Sequence, residues 1–333
     1  FNNIINSWNC GNFTDEQYKI VSLIALMLLM TNFTSANPWG HRYATVQTNQ
    51  NIVVDINTSF TVSIEWGEGD WTSSNFGYGL TSDGTGWTWV DLPWFQNGDG
   101  SNKRCQTSIS IGIPGKYFYA YRMTKSSTTS YSIGSDIWAE NSSTLSAIST
   151  ISVGEFTIAS GNWSSISTWN GNEVPSSSKN VGIYHDVTLN QYGEVKSLYI
   201  ASGKTFTASD ATPRILTIGK SVSGSSTTLS NSGTWANGTG GSTVVFTGAP
   251  GSGDAIHAIS GTIAFQNITV NKTGGASNVG VSFGANSSVS GTMEIGSGGF
   301  VSTAPPANFY GSSAILKFNQ GSGATYDVNS GDF

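Results

Sequence analysis

From Val181 to Phe333, short β-type runs alternate with Gly, Ser, Thr and Asn. VGIY, VTLN, KSLYIA, RILTIG, STVVFTG, TIAFQNITVN, VGVSFG, TMEIG and AILKFN follow one another with no helical period between them. Each run is too short and too one-sided to be stable alone. Stacked as successive coils, the runs bury a continuous Val/Ile/Leu/Phe column. Their spacing is loosely 20 to 30 residues, the range of solenoid repeats. Gly at the corners allows positive φ where the chain turns between faces. The pattern predicts a parallel β-helix or solenoid over residues 181–333.

Residues 37–153 carry a different rhythm. NIVVDI, SFTVSIEW, GWTWVDLPWF, RCQTSISI, GKYFYAYRM and SAISTISV are candidate strands separated by Gly/Asn/Asp/Ser turns. Their number and length predict a β-sandwich of immunoglobulin-like size, so the expected fold class is all-β, a sandwich followed by a solenoid. Alternation puts Tyr117, Tyr119 and Tyr121 on one face of their strand and Phe118 and Ala120 on the other. One face is core, and the other is a possible platform. Between the two units, residues 154–180 read as a polar linker and cap. An open solenoid end exposes apolar side chains and strand edges, and Trp163 and Trp169 suit a cover for it. A sugar-contacting pair is the other reading of these two rings.

Lys19–Ala36 reads KIVSLIALMLLMTNFTSA, with one Lys, an apolar core and a small-residue site, the anatomy of a secretory signal peptide. Residues 1–36 are therefore expected to be upstream sequence and leader, with both ends of the chain open. The apolar run is too short for a stop-transfer helix, so no transmembrane segment is expected after leader cleavage. Cleavage would leave Cys105 without a disulfide partner, and it reads as a buried small apolar residue. Charged residues are 10% of the 333 and the formal charge is −6. With no basic footprint, nucleic acid is not an expected partner.

The segment SGNWSSISTWNGNEVPSSSKNVGIYHDVTLN resembles a recurring module of Bacteroidetes secreted and cell-surface proteins with a GNW…W…VP…VTI…VTL pattern. STVVFTGA, HAISGTIAFQNITVNKTGG and VSFGANSSVSGTMEIGSGGFV resemble the β-helix-like repeat of the same proteins. The resemblance covers about Ser160 to Phe333. It implies an extracellular or cell-surface, adhesin-like protein reached by a type IX secretion route. GWTWVDLPWFQNGDGSNKRCQTSISI resembles a small β-sandwich module of secreted bacterial proteins, and its WTWVDLPWF run is similar to starch-binding modules. That second likeness implies carbohydrate contact.

The search for catalytic chemistry finds little. His41, His185 and His257 are isolated, with no HExxH, no Cys/His cluster, no phosphate loop and no GxSxG elbow. His185-Asp186 reads as a two-residue turn, with a catalytic pair as the alternative. The solenoid carboxylates Glu173, Asp186, Glu194, Asp210, Asp254, Glu294, Asp327 and Asp332 are scattered, whereas glycoside cleavage needs two across a cleft. Glu68, Asp70, Asp83, Asp91, Asp99 and Asp136 lie on Gly-rich loops. Calcium takes such oxygens, but no DxDxDG loop is present and solvated turns are the competing reading.

The best chemical surface is aromatic, formed by Trp87, Trp89, Trp94, Phe95, Tyr131 and Trp138 around Asp91. Flat rings offer apolar area at low entropy cost, and a pyranose presents C–H groups on one face with hydroxyls round its rim. Trp87 and Trp89 share a face by alternation, and both core packing and a ligand platform remain open for them. The expected function is a non-catalytic, monomeric, extracellular or cell-surface protein for adhesion or polysaccharide binding. The alternative is the N-terminal accessory region of a larger extracellular hydrolase or lyase. A lyase or hydrolase within the solenoid would require at least three ionisable side chains converging on one coil.

Overall fold

The computed structural model describes residues 51–66, 72–97, 103–125, 128–133, 137–139, 149–219, 226–248, 256–272, 280–296 and 305–319. The leader over 1–36 lies outside the described residues, as do Glu68, Asp70, Asp99 and Asp136. The chain is all-β, with a two-sheet sandwich followed by a parallel solenoid.

In the sandwich, one sheet has the order Asn51–Val54, Thr150–Val153, Gly115–Lys125, Ser73–Gly79, Thr88–Asp91, with Thr128–Ile133 and Ile137–Ala139 extending it beside Gly115–Lys125. The second sheet is Phe60–Trp66, Lys103–Ile109 and Trp94–Asn97. Alternation along Gly115–Lys125 decides what each face does. Tyr117, Tyr119, Tyr121 and Met123 are buried against Val62, Ile64, Phe76 and Ile151. Their phenols are therefore core. Burial pushes the Tyr121 phenol well up and the Tyr117 phenol, which donates to the Ile113 carbonyl at 2.9 Å, up to about 12. A buried hydroxyl needs such a partner because leaving it unpaired costs about 1–3 kcal/mol. Cys105 belongs to the same core.

The solenoid has three faces. The first stacks Glu155–Phe156, Asn180–Ile183, Ser197–Ile200, Ser226–Asn231, Ile256–Gly261 and Gly280–Ser282. The second stacks Gly161–Asn162, Val187–Thr188, Thr205–Thr207 and Thr234–Ala236, with Ile263–Phe265 and Ser287–Val289 paired farther along. The third runs Gly193–Val195, Arg214–Ile218, Ser242–Gly248, Asn267–Lys272, Thr292–Gly296 and Ile315–Asn319. All these pairings are parallel. The register aligns like with like. Val181, Leu198, Leu229 and Ile259 form one inward column, and Leu216, Val244, Ile268 and Met293 another. Ser242–Gly248 shows the expected period of two, with Val244 and Phe246 buried and Thr243, Val245 and Thr247 facing outward.

Residues 155–179 are wound into this structure as its first coil, since Glu155–Phe156 pairs with Val181 and Gly182, and Gly161–Asn162 with Val187 and Thr188. Coil length varies at the corners. The third face passes to the first across a single residue between Val195 and Ser197, but across a longer stretch between Ile218 and Ser226.

Candidate functional site

The non-core face of the larger sandwich sheet is built around two glycines. Gly77 and Gly79 lie on Ser73–Gly79, and the next strand, Thr88–Asp91, returns antiparallel to it, pairing Trp89 with Gly77 and Asp91 with Asn75. The turn between them is tied locally. The Asp83 carboxylate accepts from the Thr85 amide at 2.9 Å, and the Thr81 hydroxyl donates to the Thr85 carbonyl at 2.9 Å. With no Cβ beneath them, the indoles settle flat on the sheet. A Cβ on Gly77 would stand 2.5 Å from Trp89 Cζ3, and one on Gly79 would strike the Trp87 ring.

Neighbouring strands complete the surface. Gly77 also pairs with Ala120, Asn75 with Arg122, and Arg122 with Tyr131. Directly opposed residues share a face, so Trp89, Asp91, Asn75, Ala120, Arg122 and Tyr131 are coplanar neighbours. Ring centroids are 5.6 Å apart for Trp87–Trp89 and 6.0 Å for Trp89–Tyr131. The Arg122 guanidinium lies 4.2 Å from the Trp89 ring centroid, within cation–π range. It donates from Nε and Nη2 to Asn75 Oδ1 at 3.1 and 3.0 Å, and Asn75 Nδ2 donates to Asp91 Oδ1 at 2.5 Å. A fixed polar row thus borders an aromatic strip. Trp87 is the buried end of the strip, 8% exposed, with Nε1 donating to the Thr81 carbonyl at 2.7 Å. Trp89 and Tyr131 are half-buried and Asp91 is exposed.

Trp87, Trp89, Asp91 and Tyr131 are therefore brought together. Trp94 is not among them. It lies on the smaller sheet opposite Cys105, 62% exposed. Trp138 pairs with Ser132, and the side chains of Trp138 and Phe95 lie outside the described residues. Asn75, Arg122 and the two glycines were not singled out in the sequence. The signal that marks them is the small-residue alternation of NFGYG against the alternating WTWV, which is meaningful only once the two strands are paired.

Trp163 and Trp169 are both fully buried in the first coil, 4.9 Å apart, with Trp169 Nε1 donating to the Trp163 carbonyl at 2.9 Å. Neither has a ring face to offer a sugar. They begin an interior aromatic ladder that continues through Phe206, Trp235, Phe265, Phe283, Phe309 and Tyr310, with successive centroids 4.6–6.3 Å apart.

The described solenoid carboxylates are dispersed along the coils and already engaged. Asp186 accepts from the Thr205 amide at 2.8 Å, and His185 bonds to Thr157, so the dipeptide forms a corner. Asp210 pairs with Arg214, and that guanidinium holds its carboxyl below the usual range. Glu294 pairs with Asn319 and Lys317, which lower it likewise, and Tyr192 donates to Glu194. Glu173 pairs with Lys179 at the joint with the sandwich, beside Glu155 and Asp55. Among the described residues, no group of three or more His, Cys, Asp or Glu is placed to hold a metal, and no helix is long and apolar enough to cross a membrane. No protein-family model matches the chain, and none of the curated proteins matches it significantly.

Proposed function

We propose that this chain is a non-catalytic extracellular glycan-binding protein of the Bacteroidetes surface type, in which the sandwich holds polysaccharide and the solenoid acts as a stiff spacer. The observation that carries the reading is the seating of Trp89 over Gly77, between the Tyr131 ring and the Arg122–Asn75–Asp91 row. A half-buried ring held by the sheet beneath it loses little entropy on stacking against a sugar. The bordering acceptor and donor groups are pre-positioned for hydroxyls. The non-catalytic part of the reading is supported by the engagement of Asp186, Glu194, Asp210 and Glu294 in corners and pairs spread over different parts of the solenoid.

Affinity electrophoresis through gels containing neutral and anionic polysaccharides tests it. Retardation is expected in at least one gel, reduced by Trp89→Ala and unchanged by Trp94→Ala. Uniform mobility in every gel, or a Trp89→Ala variant retarded as strongly as the parent, would defeat the proposal.

A further inference from the structure

The joint between sandwich and solenoid contains a charge arrangement that the aromatic face does not use. Thr150–Val153 leads through Gly154, at φ +61°, directly into Glu155–Phe156. Tyr184 clamps the joint, donating to the Pro114 carbonyl at 2.6 Å. Beside it lies a cleft of about 510 Å³, walled by Val53 and Asp55 from the sandwich and by Glu155, Glu173, Lys179 and Asn180 from the solenoid.

Glu155 is out of keeping with its position. Its register partner is Val181, which aligns with Leu198, Leu229 and Ile259. A carboxyl thus occupies the terminal rung of an apolar column, and it is only 3% exposed. Oε1 accepts from the Gly171 amide at 2.9 Å, and Oε2 stands 4.0 Å from Lys179 Nζ. The same ammonium is 2.9 Å from Glu173. Asp55 accepts from Asn180 Nδ2 at 3.0 Å, and Asn180 Oδ1 accepts from Ser197 at 2.7 Å, which ties the sandwich to the second and third coils. The titratable groups lining the cleft are Asp55, Glu155, Glu173 and Lys179, so three carboxyls share one ammonium.

We propose that Glu155 is a pH-responsive pin, which in mild acid locks the first coil against the sandwich and, when ionised, loosens that joint. A neutral acid is tolerated at the end of an apolar column, whereas a carboxylate there must be desolvated with a cation no closer than 4.0 Å. Protonation also leaves Lys179 to Glu173 and the field of Asp55. Burial pushes the Glu155 carboxyl up, while the Gly171 amide and Lys179 oppose this incompletely. For an acid raised on folding, the stabilisation is complete below its ordinary range and is lost as pH rises through the raised value.

Amide hydrogen exchange of the whole chain between about pH 4 and 7.5, corrected for intrinsic chemistry, tests the pin. Protection at Gly154 and Asn180 should fall with rising pH, by about tenfold for each unit that the carboxyl is displaced. Glu155→Gln should hold the acid-level protection at every pH, and Glu173→Gln, which removes a like charge and frees Lys179 for Glu155, should shrink the fall. A flat parent profile, or a Glu155→Gln profile that follows the parent, overturns the proposal. Carboxyl-carbon NMR of the unmodified protein gives an independent reading. A Glu155 titration above the ordinary glutamate range supports the pin, and one at or below that range refutes it.

Discussion

Gly77→Ala isolates the seating of Trp89 from its chemistry. The new methyl would lie 2.5, 2.6 and 2.7 Å from three atoms of the indole six-membered ring. Carbon–carbon contact is favourable at about 3.5–4.0 Å, so the ring must lift by roughly 1 Å. Overpacking of this kind costs about 1–3 kcal/mol in a closed core, and the lower part of that range applies here because Trp89 is half-buried and can move toward solvent. The lifted ring leaves its place between Tyr131 and Arg122. An aromatic contact is worth about 0.5–1.5 kcal/mol beyond its area, which corresponds to an affinity loss of about 2- to 12-fold. Titration calorimetry against the glycan retained in affinity gels measures the loss, and thermal melting of the same samples measures the stability cost. A Gly77→Ala protein that binds as the parent does while Trp89→Ala loses binding would refute the claim that seating matters. If both bind as the parent does, the face itself is misassigned.

Two further outcomes follow from the solenoid. Phe265→Ala removes a 1% exposed ring that contacts Trp235, Phe246 and Phe283, and should cost about 3–5 kcal/mol in urea unfolding. A cost below about 1 kcal/mol would mean that the ladder is not continuous there. Asp210 is held below its ordinary value first by Arg214 and then by the Thr212 amide, so its contribution is present above about pH 4 and lost as pH falls through the depressed value. The melting-temperature gap between parent and Asp210→Asn should therefore close in acid, and a gap of constant width would show that the pair does not act through charge.

The solenoid was largely legible in the sequence because its signal is local. STVVFTG and TMEIG show their buried face by simple alternation, and Gly-rich corners separate them. Alternation also grouped Tyr117, Tyr119 and Tyr121 correctly, but it cannot say which face of a strand meets a second sheet. That required Val62 and Ile64 from a strand more than fifty residues upstream. The aromatic site was half-legible for the same reason. Trp87, Trp89 and Tyr131 converge, whereas Trp94, only five residues beyond Trp89, falls on the other sheet because the chain crosses between sheets at Leu92-Pro93. Glu155 was invisible. Its neighbours along the chain, GEF, look like a strand end, and its oddity appears only when the next coil places Val181 beside it.

The parallel stacking of the three faces has a consequence for how such a chain changes over generations. Beyond the coils that meet the sandwich, the strand pairings among the described residues run from each turn to the turns before and after it, so a whole turn can be duplicated or excised without redesigning the rest. Adding one moves the sandwich farther from the far end by about 4.8 Å and leaves the Trp89 surface untouched. If the Trp89 face binds glycan as proposed, reach and ligand preference are independent variables, and selection can adjust one while holding the other fixed.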